Sequence, residues 1–198
     1  MLEIETPHGP ARAHLHRAGS PRAALVLGHG AGGGVTAPDL AAATRAALAE
    51  GIAIALVEQP YRVAGRRSPA PAKQLDAAWT AVVAQLRDGE LAGLPLLAGG
   101  RSAGARVACR TAAATGVAGV LCLAFPLQPP GRKVPAPSRL PELDAVTVPV
   151  LVVQGERDPF GIPPPGALRE VVLVPGDHSL RSERPVEDAV RDWLARLL

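Results

Sequence analysis

The stretch Pro95-Leu-Leu-Ala-Gly-Gly-Arg-Ser-Ala-Gly104 joins a short apolar run to a helix-compatible segment, Ala103 to Thr115. Its last five residues, Gly100 to Gly104, form a Gly-x-Ser-x-Gly pentapeptide at a strand-to-helix junction. A serine on so sharp a turn is forced into a strained backbone, with its hydroxyl held out above the sheet. Small residues two positions to either side let strand and helix approach closely enough for the turn to form. Ser102 is therefore a candidate nucleophile, and the rest of the chain must supply a base, an acid and a pair of N–H donors.

Outward from this turn, apolar runs recur at Ala24–Leu27, Ile52–Val57, Leu96–Ala98, Val120–Phe125, Val150–Val153 and Val171–Val174. They are nearly continuous rather than alternating, which suits strands covered on both faces of a parallel sheet. Helical patterns lie between them. Pro38 to Glu50 has Pro38 and Asp39 in its first turn and Gly51 just past its end. Residues 72–87 place Leu75, Ala78, Trp79, Val82, Val83 and Leu86 on one face. Residues 185–198 carry a stripe from Val186 to Leu197, with Pro185 able to open the helix. The alternation predicts an α/β fold with a mainly parallel central sheet and helices on both faces. Residues 2–6 and 10–16, around Pro7-His8-Gly9, are expected to form an antiparallel hairpin at one edge. The prolines of 126–141 (among them Pro126, Pro135 and Pro141) and of 159–166 exclude long helices there. A single domain over residues 1–198 is expected, with no room for a cap domain.

An acyl-transfer serine needs a base that titrates near neutral pH. His178, in Pro175-Gly-Asp-His-Ser-Leu180, follows the last strand and satisfies the order serine, acid, histidine. The acid that orients it is sought in Gln154-Gly-Glu-Arg-Asp-Pro-Phe-Gly161. Asp158 is the best placed; Glu156 is the second choice, and Asp177 is adjacent to the base and expected to point elsewhere. An oxyanion needs preorganised backbone N–H groups. Ala103, next to the serine, is one; the glycine-rich loop Gly28-His-Gly-Ala-Gly-Gly-Gly34 offers Ala31, or else Gly32, as the other. That loop lacks the lysine of a phosphate cradle, which argues against a nucleotide-binding domain. His29 is expected to brace the loop, and Arg101 to pin nearby carboxylates.

These four elements, in this order, resemble the α/β-hydrolases. More narrowly, the Gly28-His-Gly-Ala-Gly-Gly, Gly-Gly-Arg-Ser-x-Gly, Gly155-Glu-Arg-Asp-Pro-Phe-Gly161 and Gly176-Asp-His-Ser179 segments resemble the small cap-less group related to dienelactone hydrolase. That group includes the testis-expressed protein 30 and non-specific-lethal complex subunit 3-like hydrolases. The likeness spans roughly residues 22–198. It implies an α/β-hydrolase fold, a Ser102–Asp158–His178 triad, and Ala31 and Ala103 as oxyanion-hole residues. A serine stands where dienelactone hydrolase itself has cysteine, so the dienelactone substrate is not implied.

The composition fits a soluble globular protein, with 47% hydrophobic and 20% charged residues. The net charge of +3 comes from scattered arginines, which is no nucleic-acid footprint. No apolar run reaches membrane-spanning length, and the acidic N-terminus carries no signal region, so a cytoplasmic location is expected. Cys109 and Cys122 have no metal spacing and read as reduced, buried residues. His14 and His16 share a strand face without a third ligand, so neither metal nor cofactor is expected. Tyr61 and Arg62, after the strand 52–57, are candidate contacts for an acyl group; Phe125 and Phe160, with Pro126, Leu127 and Ile162, are candidates for an apolar wall. The expected partner is a small-molecule acyl substrate. The alternative is a non-catalytic binding or scaffold protein on the same fold.

Overall fold

A computed structural model describes residues 1–17, 19–131 and 136–198. Pro135 of the proline-rich loop lies outside the described residues. Eight strands form one sheet: β1 (Leu2–Ile4), β2 (Ala11–His16), β3 (Ala23–Gly28), β4 (Ile52–Glu58), β5 (Leu96–Arg101), β6 (Val120–Leu123), β7 (Val150–Gly155) and β8 (Arg169–Val174). Their order is β1-β2-β4-β3-β5-β6-β7-β8. β1 and β2 pair antiparallel as the edge hairpin, β2 runs antiparallel to β4, and every pairing from β4 to β8 is parallel. The helices are α1 (Pro38–Ala49), α2 (Pro60–Val63), α3 (Ala72–Asp88), α4 (Ala103–Thr115), α5 (Leu140–Asp144) and α6 (Glu183–Leu197). This is the α/β-hydrolase architecture, with nothing among the described residues that amounts to a cap.

Alternation along each buried strand divides the core into two layers. Ala24 and Val26 of β3, and Ala53, Ala55 and Val57 of β4, face the layer that holds Trp79 and Val83 of α3 and Val107 and Ala108 of α4. Leu25 and Leu27, with Ile52, Ile54 and Leu56, face the opposite layer, where α1 and α6 supply Leu40, Ala43, Val190 and Trp193. Both faces are apolar because both are covered, which is why the strand sequences run continuously.

The boundaries differ from expectation in two places. The strand expected to reach Phe125 stops at Leu123, because Ala124 adopts a positive φ of 50° and turns the chain. The last helix begins at Glu183, so Pro185 sits within its first turn rather than opening it; its missing N–H is one the helix start leaves unpaired anyway. The segment after β4, which carries Tyr61 and Arg62, forms the short helix α2.

The start of α4 packs directly against β3. A Cβ added at Gly104 would lie 2.5 Å from the Gly28 carbonyl oxygen, and one at Gly100 would lie 2.5 Å from the same atom. Only hydrogen fits at these positions. The three glycines let α4 start directly above the sheet.

Candidate active site

Ser102 ends the turn between β5 and α4 with φ 51° and ψ −107°, a conformation that non-glycine residues adopt only under constraint. Its own N–H donates to the Leu123 carbonyl at 2.9 Å, and its carbonyl accepts from Arg106 at 3.2 Å, so both neighbours hold the strained turn. The hydroxyl faces His178, with Oγ 2.9 Å from Nε2.

His178 stands on the turn between β8 and α6. That turn is pressed against the end of β7: the Asp177 carbonyl oxygen would lie 2.4 Å from a Cβ at Gly155. Arg157 N–H donates to the Gly176 carbonyl at 3.0 Å. Nδ1 of His178 lies 2.8 Å from Oδ2 of Asp158, whose side chain is fully buried. An ionised carboxylate can only accept, so Nδ1 carries the proton and the Nε2 lone pair faces Ser102.

Asp158 is the acid the structure brings to the imidazole. Glu156 is exposed, and Asp177 is exposed with Oδ1 accepting the Ser179 N–H at 2.8 Å, the bond that holds its carboxyl below the usual range. The Asp158 carboxylate also accepts from Gln154 Nε2 at 2.7 Å and from the Phe160 N–H at 2.9 Å. Gln154, wholly buried at the end of β7, was not expected at the site. A polar residue closing an otherwise apolar strand was the signal, since a buried amide must find partners.

The glycine-rich loop after β3 passes close to Ser102: a Cβ at Gly30 would stand 3.7 Å from Ser102 Cβ. His29, 3% exposed, donates from Nδ1 to the Gly30 carbonyl at 2.8 Å and accepts the Gln59 N–H at Nε2 at 3.1 Å. Burial pushes its pKa down, which agrees with a neutral ring in this tautomer. The Gly30 carbonyl and the Ala31 N–H belong to one planar trans peptide and point opposite ways. Fixing the first therefore aims the second. The Tyr61 hydroxyl donates to the Ala31 carbonyl at 2.9 Å, and the Tyr61 ring meets His29 edge-on at 5.7 Å. Ala103 is the first residue of α4, where backbone N–H groups have no partner within the helix.

Two expected substrate contacts are corrected. Tyr61 is 6% exposed and its hydroxyl is committed to the loop backbone, so it supports the site from behind. Phe125 is 0% exposed: the turn at Ala124 sends its ring into the core instead of the wall. Arg62 is half-buried and donates to the Arg66 carbonyl at 3.2 Å. Phe160 does reach the site, its ring centroid 4.3 Å from that of the His178 imidazole and its plane tilted by 34°.

Asp39 is fully buried at the start of α1, and its Oδ2 lies 2.8 Å from Nε of Arg101. The two are close enough for an ion pair but not aligned as a hydrogen bond. Burial raises the Asp39 carboxyl to about 6, against the pull of Arg101. Elsewhere, His14 of β2 pairs with Glu58 of β4 at 3.0 Å, and the Cys109 and Cys122 sulfurs, both buried, lie 3.5 Å apart. Among the described residues no group of three or more metal-ligating side chains occurs, and no helix is long and apolar enough to cross a membrane.

Residues 21–196 match the model of a family described as the alpha/beta hydrolase domain. No curated protein matches the chain in sequence. Among solved structures, Est1E from Butyrivibrio proteoclasticus, with ferulic acid bound, superposes with a TM-score of 0.80 at 15% identity, covering 100% of this chain and 99% of that one. A serine hydrolase without lid from Xanthomonas campestris gives 0.72 at 19% identity over 97% and 93% of the two chains. Dienelactone hydrolase from Anabaena variabilis gives 0.73 at 16% identity over 99% and 94%.

Proposed function

Because the chain belongs to the α/β-hydrolase family, we propose that it is a serine hydrolase acting on small carboxylic esters or related acyl substrates. The observation that carries this reading is the hydrogen-bonded chain from Ser102 Oγ to His178 at 2.9 Å and from His178 to Asp158 at 2.8 Å.

In the proposed mechanism, Ser102 Oγ attacks the acyl carbon while His178 Nε2 takes its proton. Asp158 stays ionised; it holds the imidazole by Nδ1–H and stabilises the imidazolium that forms. The negative charge that develops on the carbonyl oxygen is taken up by the N–H groups of Ala103 and Ala31. His178 then gives its proton to the departing alkoxide, leaving Ser102 acylated. A water that His178 deprotonates cleaves the acyl-enzyme and restores the serine. Phe160, against the imidazole, shields one face of the base from solvent.

Within the family, the motifs support a place beside the small cap-less hydrolases related to dienelactone hydrolase, including the testis-expressed protein 30 and non-specific-lethal complex subunit 3-like group. Two of the structural neighbours support this reading: one holds ferulic acid, and the other is a serine hydrolase without lid. With no cap over the serine among the described residues, one domain spanning residues 1–198 would present an open site suited to small or exposed acyl groups.

A fluorophosphonate probe tests the reading. It is expected to label the wild-type protein on the peptide that contains Ser102, with Ser102→Ala unlabelled and inactive on p-nitrophenyl acetate. Equal labelling of the two proteins removes Ser102 as the nucleophile.

A further inference from the structure

Arg101 ends β5 immediately before Ser102, and its side chain turns inward, 19% exposed, toward the loops that complete the site. Nη2 donates to the backbone carbonyl of His178 at 2.9 Å. Nε lies 2.8 Å from the buried carboxylate of Asp39. Nη1 stands against the oxyanion loop: a Cβ at Gly30 would lie 2.9 Å from it. A single planar cation thus touches the turn that carries the base, the loop that carries Ala31 and the start of α1. Its own backbone is fused to the nucleophile.

The imidazole bond to Asp158 sets the orientation of the His178 ring but does not fix how far the turn stands from the elbow. That turn is partly open to solvent, with Asp177 exposed. A guanidinium suits the task because its donors form a rigid fork and its charge does not titrate. A lysine ammonium at the same place keeps the charge but is a single point on a flexible stem.

We propose that Arg101 is a positioning residue for the hydrolytic reaction: its guanidinium ties the His178 carbonyl and the Gly30 loop to the nucleophile turn, with Asp39 as its counter-charge. This inference rests on the serine-hydrolase reading. It assigns Arg101 no contact with substrate; its effect runs through the separation of Ser102, His178 and Ala31. A misplacement of about 1 Å costs on the order of 10²-fold in rate.

The test compares wild type, Arg101→Lys and Arg101→Gln by steady-state hydrolysis of p-nitrophenyl acetate, by the rate of fluorophosphonate labelling, and by thermal unfolding. Arg101→Gln is expected to lower kcat and the labelling rate on the order of 10²-fold with KM unchanged. Arg101→Lys is expected to unfold close to the wild-type temperature, because the pair with Asp39 survives, yet to lose roughly tenfold or more in kcat. This separation of stability from rate is what a merely structural arginine would not produce. If Arg101→Gln fails to fold, Arg101→Lys decides alone. Arg101→Lys at wild-type kcat and labelling rate, or a loss confined to KM, overturns the inference while leaving the hydrolase reading intact. A wild-type protein that neither labels nor turns over ester overturns both.

Discussion

Gly104→Ala puts the fold and the site to one measurement. The added methyl would lie 2.5 Å from the Gly28 carbonyl oxygen, 2.6 Å from its carbon and 2.9 Å from the His29 carbonyl oxygen. All three are backbone atoms, so no side-chain rotation relieves the clash. Reaching an ordinary carbon–oxygen contact of about 3.3 Å requires α4 and β3 to part by roughly 0.8 Å. Overpacking of this kind costs about 1–3 kcal/mol, and the upper end applies where backbone must move. Alanine in a helix returns about 1 kcal/mol relative to glycine, leaving a net loss of about 2 kcal/mol. For a protein of this size that is a fall in Tm of roughly 4–8 °C.

The same displacement carries His29 and the Ala31 loop away from Ser102, so kcat on p-nitrophenyl acetate should drop roughly 10- to 100-fold. Thermal unfolding and steady-state kinetics on the purified variant read both effects. Gly19→Ala is the control: it is exposed, a Cβ there meets nothing within 4 Å, and stability should stay within about 0.5 kcal/mol. A Gly104→Ala protein with wild-type Tm and wild-type kcat would show that the strand and helix are not in this contact.

Tyr61→Phe removes the hydroxyl that holds the Ala31 carbonyl at 2.9 Å. A bond worth about 1 kcal/mol predicts a decrease in kcat of about 2- to 10-fold with KM unchanged, whereas a rise in KM alone would restore Tyr61 to the substrate. Asp39, raised to about 6 by burial, binds its proton more tightly folded than unfolded. Its contribution to stability is therefore complete below about pH 4 and lost as pH rises through about 6. Urea titrations of wild type and Asp39→Asn across that window should show the wild type losing about 3 kcal/mol relative to the variant, then a flat difference above pH 7. A difference that does not change between pH 4 and 7 would exclude a proton-binding Asp39.

The residues that were legible in the sequence share a local signature. Ser102 and His178 each follow an apolar run, and Asp158 comes shortly after one, in turn-rich sequence, so strand ends alone placed them on one side of a parallel sheet. Tyr61 and Asp39 were not legible in the same way, because what they do depends on partners remote in the chain. Asp39 reads as an acid in the first turn of a helix, a common and solvent-facing choice, and only the fold buries it beside Arg101. Phe125 misled for a different reason. An apolar residue before a proline reads as continuing strand or wall, and nothing local announces that Ala124 will take a positive φ. Gln154 had a signal that pattern reading passes over, a polar side chain closing a strand that is buried on both faces.

The division follows from how the site must be assembled. Ser102 and Ala103 are neighbours in the chain, so the turn that strains one also places the N–H of the other, and a pentapeptide is enough to encode both. Ala31, Asp158 and His178 come from three other loops, and each needs a tie that does not belong to its own segment. Those ties are polar and wholly or partly buried: Tyr61 to the Ala31 carbonyl, Gln154 to Asp158, Arg101 to the His178 carbonyl. Buried polar groups are costly unless bonded, so each tie is stable only in the assembled arrangement. Loss of one should loosen a single loop and lower turnover with the fold intact. Crowding the elbow glycines moves a whole helix, and must disturb stability and turnover together.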